Sequence, residues 1–471
     1  MSILLWSVVA YLLVSVLIGV YAARNVKTAS DFALAGRSLP MPVIVATTFA
    51  TWFGAETVLG VSATFAKDGL KGVVEDPFGS SFCLILVGLF FARKLYQMKL
   101  TTIGDYYKLR YGRSVEIITS VVIVVSYMGW VAAQIKALGL VFNLLAPEFI
   151  SPQAGMMVGT AIVLIYTLYG GMFSVAMTDF FQMIIIGLGL IVIAFFAAQA
   201  AGGAGAVIQA ASSKDLFTFW PKADAKEVLF FIAAGLTLML GSIPQQDVFQ
   251  RVMSSKNETV ASRGPILGGV LYLLFAFIPM FVVVAALKVT PDVSATLLEK
   301  DAQAILPTFI MTQMPLFVQV VFFGALLSAI MSTASATVLA PSTTLVENLI
   351  KPFKPNLSDA SVLKYLRITV LLFAAAVLVF ALNTTDSIYE MVKNAYKITL
   401  VAAFVPLVMG LYWKRSNTAG ALTSIVLGLT VWIVGENTFA EAFPAQLAGL
   451  LAALGGMVVG SLASKPKNSS A

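Results

Sequence analysis

Thirteen apolar runs divide this chain, each long enough to cross, or nearly cross, a bilayer. They lie near 3–23, 40–66, 73–95, 115–146, 154–170, 174–200, 227–250, 264–288, 316–349, 366–383, 388–412, 418–435 and 443–463. Runs of this length predict an all-α integral membrane protein, because a spanning helix satisfies its own backbone inside lipid. No β-barrel alternation interrupts them. Of 471 residues, 59% are hydrophobic and 11% charged, against roughly 25% charged in soluble proteins. That balance excludes a water-soluble enzyme.

The residue inventory removes further classes. There is no histidine, so Ser-His-Asp catalysis and most zinc sites are absent. The lone Cys83 cannot form an internal disulfide. The net charge of +7 is dispersed between apolar runs, which argues against a nucleic-acid partner. Residues 1–23 lack a basic leader and a small-residue cleavage site, so they read as a retained span.

Lysine and arginine placement sets the expected orientation. With the N-terminus outside, the inner loops carry twenty basic residues, from Arg24 to Lys465 and Lys467. The outer connections carry seven: Lys67, Lys71, Lys214, Lys222, Lys226, Lys288 and Lys300. The reading is therefore a multi-pass cell-membrane protein (inner or plasma membrane) with its N-terminus outside and its C-terminus cytoplasmic.

Two runs carry residues that disturb a helix. The second reads TTFATWFGAETVLGVSATF, with Gly54 and a glutamate, Glu56, where an apolar residue is expected. The seventh reads LTLMLGSIPQQDVFQR, where Gly241 and Pro244 precede Gln245, Gln246 and Asp247. Gly and Pro are common in membrane helices. Two breaks five spans apart, however, are what inverted-repeat transporters place at their midplane sites. The predicted organisation is one transmembrane domain over 1–471: an extra helix and loop (1–39), a first repeat (40–200), a second repeat (227–412) and two further helices with a tail (413–471).

The ninth run, LLSAIMSTASATVLAPSTT, sets Ser328, Ser332 and Ser335 on one helical face with Thr333 beside them. Such hydroxyls commonly bond the carbonyl one turn back. Clustered opposite a broken helix, they could instead join free carbonyls as neutral oxygen ligands for a hard monovalent cation. Asp179, inside the sixth run, is costly there unless paired or hydrated; it reads as an ion relay or a structural partner.

Three stretches carry a family resemblance: YTLYGGMFSVAMTDFFQ (166–182), AIMSTASA (329–336) and GLYWKRSNTAGALTSIVLG (410–428). They resemble the solute:sodium symporter family over nearly the whole chain. That resemblance implies a LeuT-type core of ten helices in a 5+5 inverted repeat, with one extra N-terminal and two extra C-terminal helices, thirteen in all. It also implies a sodium site built from the carbonyls of Ala55, Val58 and Ala329 and the hydroxyls of Ser332 and Thr333. Some members have a second sodium lined by the equivalent of Asp179 and two hydroxyls. Here that pair is Ser335 and Ala336, and the alanine offers no side-chain ligand, so one sodium is expected.

The stretches TWFGAETV and IPQQDVFQRV look most similar to the choline-transporting branch, where an aromatic cage holds the cation. Trp52 and Trp130 match two cage positions, while Gln245 and Ser80 stand where that branch has aromatic residues. Glu56, Gln134, Gln245, Gln246 and Lys393 offer both charges and amide groups, and Gly54 lies at the break. The expected cargo is a small polar zwitterion, such as an amino acid or betaine, imported with Na+ by alternating access. The alternatives are a choline-like cation or a monocarboxylate. A membrane sensor of the same fold would carry a signalling domain, and only eight residues follow the last run. Oligomeric state is not legible.

Overall fold

A computed structural model describes residues 3–222, 224–354 and 356–464; Lys465 and Lys467 lie outside them. Among the described residues the regular structure is helical, apart from one isolated parallel bridge between Leu39 and Ser255. Ten of the described helices are long and apolar enough to cross a membrane, or up to twelve when two bent pairs count as one span each. The thirteen-span expectation treats the longest segment, Pro152–Ala200, as two. That segment has 49 residues, and its helical backbone is interrupted at Gly171 (φ 46, ψ −135). At 1.5 Å per residue it is more than twice the hydrocarbon thickness of about 30 Å.

Only glycine fits that kink. A Cβ at Gly171 would meet the Phe32 carbonyl oxygen at 2.3 Å, in a backbone region L side chains rarely adopt. Large apolar side chains remain exposed along the spans, including Leu17 at 65% and Phe195 at 58%. A lipid-facing surface accounts for them.

The two bent pairs are the predicted breaks. Met41–Trp52 meets Glu56–Asp68 at 53°, and Ala225–Gly241 meets Gln246–Ser254 at 45°. Loop contacts sort the remaining chain into two ends. At one, Arg37 donates to the Lys99 and Leu100 carbonyls at 2.9 and 2.8 Å, Arg110 donates to Gly410, and Arg93 pairs with Glu258. At the other, Leu70 bonds the Leu216 carbonyl, Lys136 bonds the Asp386 carbonyl, and Lys397 pairs with Glu436. The loops assigned to one side by their basic residues thus gather at one end.

Candidate functional site at the two helix breaks

Phe53 and Gly54 leave the helix, with φ/ψ of −88° and 68° at Phe53, and Ala55 returns to helical geometry. The freed Ala55 amide donates to Gln134 Oε1 at 3.0 Å. Gln134 Nε2 in turn donates to Glu56 Oε2 at 2.6 Å, and Trp130 Nε1 donates to Glu56 Oε1 at 2.9 Å. A charge in a membrane helix must be paired or solvated; here two side-chain donors hold the carboxylate, which is 3% exposed.

The second break is held by the same helix, Arg113–Leu145. Tyr127 accepts from the Asp247 amide at 2.8 Å and donates to Asp247 Oδ1. Trp52 Nε1 donates to Asp247 Oδ2 at 3.0 Å. Tyr127, Trp130 and Gln134 are spaced i, i+3, i+7, so one helical face serves both breaks. Around them Trp52, Trp130, Tyr127 and Tyr396 form a buried ring cluster. Trp52 and Trp130 meet edge to face at 5.7 Å, and Trp130 lies 5.6 Å from Tyr396.

The predicted hydroxyl face reaches the first break. The Thr333 hydroxyl donates to the Ala50 carbonyl at 3.5 Å. A Cβ built on Gly54 would lie 2.6 Å from Thr333 Oγ1 and 2.4 Å from Glu56 Oε2, so these groups crowd one point. Ser332 donates to Asp179 Oδ1 at 2.6 Å, and Thr47 donates to the other carboxylate oxygen. Asp179 therefore adjoins the hydroxyl step directly. Ala329 is fully buried one turn before Ser332. Ser335 instead bonds back to the Ser332 carbonyl at 3.0 Å, and the Val58 carbonyl accepts from Ser62. Among the described residues no group of three or more His, Cys, Asp or Glu could hold a metal ion.

Other sequence candidates go elsewhere. Gln245 stays near the cluster, donating to Ser126 at 3.0 Å. Gln246, the first residue after the break, turns away and accepts from the Ile103 amide at 2.9 Å. Ser80 lies beside the Asp76 carboxyl, which accepts from Tyr272. Lys393 faces Glu75 at 3.8 Å and lines two cavities of about 740 and 500 Å³ at the Lys67 end. The structure does not bring Lys393 to the ring cluster. Sequence reading missed Tyr127, Tyr396 and Arg251 and assigned Asp247 no role; only Tyr127, three residues before Trp130, left a usable spacing signal.

Two helices broken at a shared buried polar centre define a secondary transporter. The profile of the sodium:solute symporter family matches residues 32–428, and the chain belongs to that family. It is 28% identical over 457 residues to the High affinity choline transporter 1 of Homo sapiens, covering 92% of this chain and 77% of that protein. It is 27% identical over 437 residues to the High-affinity proline transporter PutP of Bacillus subtilis (strain 168), covering 89% of each. A solved structure of a Na+-coupled sialic acid symporter in a substrate-bound outward-open state matches with a TM-score of 0.85 at 19% identity, covering 99% of this chain and 98% of that one. At that identity the likeness is one of fold, the LeuT type. As a member of that family the protein is a multi-pass membrane transporter rather than an enzyme, and its coupling ion is sodium.

Proposed function

We propose that this symporter imports a small organic solute carrying a cationic nitrogen, either a zwitterion or a choline-like cation, together with one sodium ion. The observation that carries this reading is the cluster of four buried rings bracketed by Glu56 and Asp247. Ring faces and carboxylates attract an ammonium group. The resemblance to choline and proline transporters supports the same chemistry. A monocarboxylate fits less well, since the buried cation beside Asp247, Arg251, is already bonded to Thr51 and the Asp247 carbonyl. Solute binding parts the rings, and its nitrogen replaces the indole donors on Glu56 and Asp247.

Sodium is cargo in this scheme. The carbonyls of Ala55, Val58 and Ala329 and the hydroxyls of Ser332 and Thr333 would hold it, with Asp179 assisting its departure. The hydroxyls are free to turn toward an ion by giving up their present bonds to Asp179 and Ala50. Bound sodium stabilises the conformation open to the Lys67 end, where the two cavities lie. Closure over the solute then exposes both to the basic end. With that end cytoplasmic, an inward-negative potential contributes about 2.3 kcal/mol per charge per 100 mV. The coupling is reciprocal: sodium raises solute affinity by the factor that solute raises sodium affinity.

A thermal-shift screen of choline, betaine, proline, lactate and glucose tests the cargo class. Choline, betaine or proline should raise the melting temperature in sodium and do so less in potassium. Stabilisation by lactate alone would reject the cationic-nitrogen reading.

A further inference from the structure

We propose that Arg251 is a positioning residue that carries sodium occupancy from Asp179 to the solute side of the site. The inference rests on the symport reading above and names a path within it.

Arg251 is 1% exposed. A full charge inside a spanning bundle persists only where partners compensate it. Its Nη2 donates to Thr51 Oγ1 at 2.6 Å and its Nη1 to the Asp247 carbonyl at 2.9 Å. Its Nε has no hydrogen-bond partner. Thr51 donates in turn to Asp179 Oδ2 at 3.4 Å, and the other oxygen of Asp179 accepts from Ser332. On the far side, the Asp247 carboxylate accepts from Trp52 and Tyr127. One guanidinium is thus shared by two carboxylates, through the Thr51 hydroxyl toward the hydroxyl step and through backbone toward the rings. It lies within coulombic reach of both.

Sharing makes the cation a messenger. Sodium arriving beside Ser332 supplies countercharge to Asp179, which releases its hold on Arg251. The guanidinium then commits to Asp247, two residues past the Ser242–Gln245 hinge, and fixes the wall to which Trp52 and Tyr127 are bonded. The forked geometry matters, because one planar group reaches Thr51 and the Asp247 carbonyl together. A lysine ammonium is a point charge on a thinner stem. Such coupling requires an element with two arrangements, a role assigned in this proposal to the 45° break at residues 242–245.

Amide hydrogen exchange of the full chain in phosphatidylcholine nanodiscs, in sodium chloride against potassium chloride, tests this without knowledge of the solute. In the unaltered protein, sodium should slow exchange at both breaks, residues 53–61 and 241–250. In Arg251→Lys and in Thr51→Val, protection at 53–61 should persist while that at 241–250 is lost. A merely structural defect would raise exchange in both salts alike and leave the sodium-dependent difference in place. Thr51→Val, isosteric and uncharged, keeps the test open should Arg251→Lys fail to fold. Sodium protection retained at 241–250 in a folded variant overturns the proposal. Absence of sodium protection at 53–61 in the unaltered protein overturns the sodium-site reading instead.

Discussion

A methyl group at position 54 would meet Glu56 Oε2, Thr333 Oγ1 and Gln134 Oε1 within 3.0 Å. Each of these atoms is tied into a buried network, so Gly54→Ala must push the carboxylate off Trp130 and Gln134 or the hydroxyl off the break. Uptake should fall at least tenfold, about 1.4 kcal/mol, with the protein still folded by circular dichroism. The same scale tests the ion. Ser332→Ala with Thr333→Ala removes both hydroxyl ligands, and sodium affinity measured by isotope binding should fall at least tenfold; unchanged affinity would remove these residues from the site. Gly54, Glu56 and the serine–threonine step were legible because each is out of place in an apolar run. Arg251 and Asp247 were not. They follow a proline break as ordinary members of an amphipathic turn, and only the fold reveals that both are buried.

The element that organises both breaks is the helix Arg113–Leu145, which offers Tyr127, Trp130 and Gln134 on one face. Removing the Tyr127 hydroxyl leaves the Asp247 amide and Oδ1 short of a partner, a loss of roughly 1–3 kcal/mol for a buried polar group. Tyr127→Phe should therefore weaken solute affinity about tenfold or more, and weaken sodium affinity less. An equal loss of both would show that this helix supports the bundle generally rather than the second break. The bends themselves were readable from Gly54, Gly241 and Pro244. Side-chain direction was not: Gln246 and Lys393 stood in the right stretches, yet one turns to Ile103 and the other to Glu75. Helical spacing fixes a face only within continuous helix, and Gln246 opens the helix that follows a break. Lys393 sits inside the continuous helix Ile388–Thr399, where packing against Glu75 decides its direction. The 49-residue segment Pro152–Ala200 is interrupted at Gly171, between the apolar runs 154–170 and 174–200.

Across the whole molecule, charge placement and contacts divide the loops in the same way. The basic connections around Arg37, Lys99, Arg110 and Lys256 cluster at one end, while Lys67, Lys71 and Lys136 belong to the other, and Arg251, counted with the inner loops from sequence, is buried instead. With the basic end cytoplasmic, a membrane-impermeant maleimide added to intact cells should label Lys71→Cys and spare Lys108→Cys. Native Cys83 is buried and contributes little background. Reversed labelling would invert the orientation and leave the site unchanged.

The central claim is that an alkali ion lodged at the first break drives an organic solute across the bilayer. The direct measurement is uptake of labelled choline and betaine into proteoliposomes of the purified protein, at fixed pH, with an inward sodium gradient or with potassium in its place. The account predicts transient accumulation above equilibrium for at least one of them, lost in potassium and enhanced by an inside-negative potential. Accumulation that proceeds equally in potassium would contradict it.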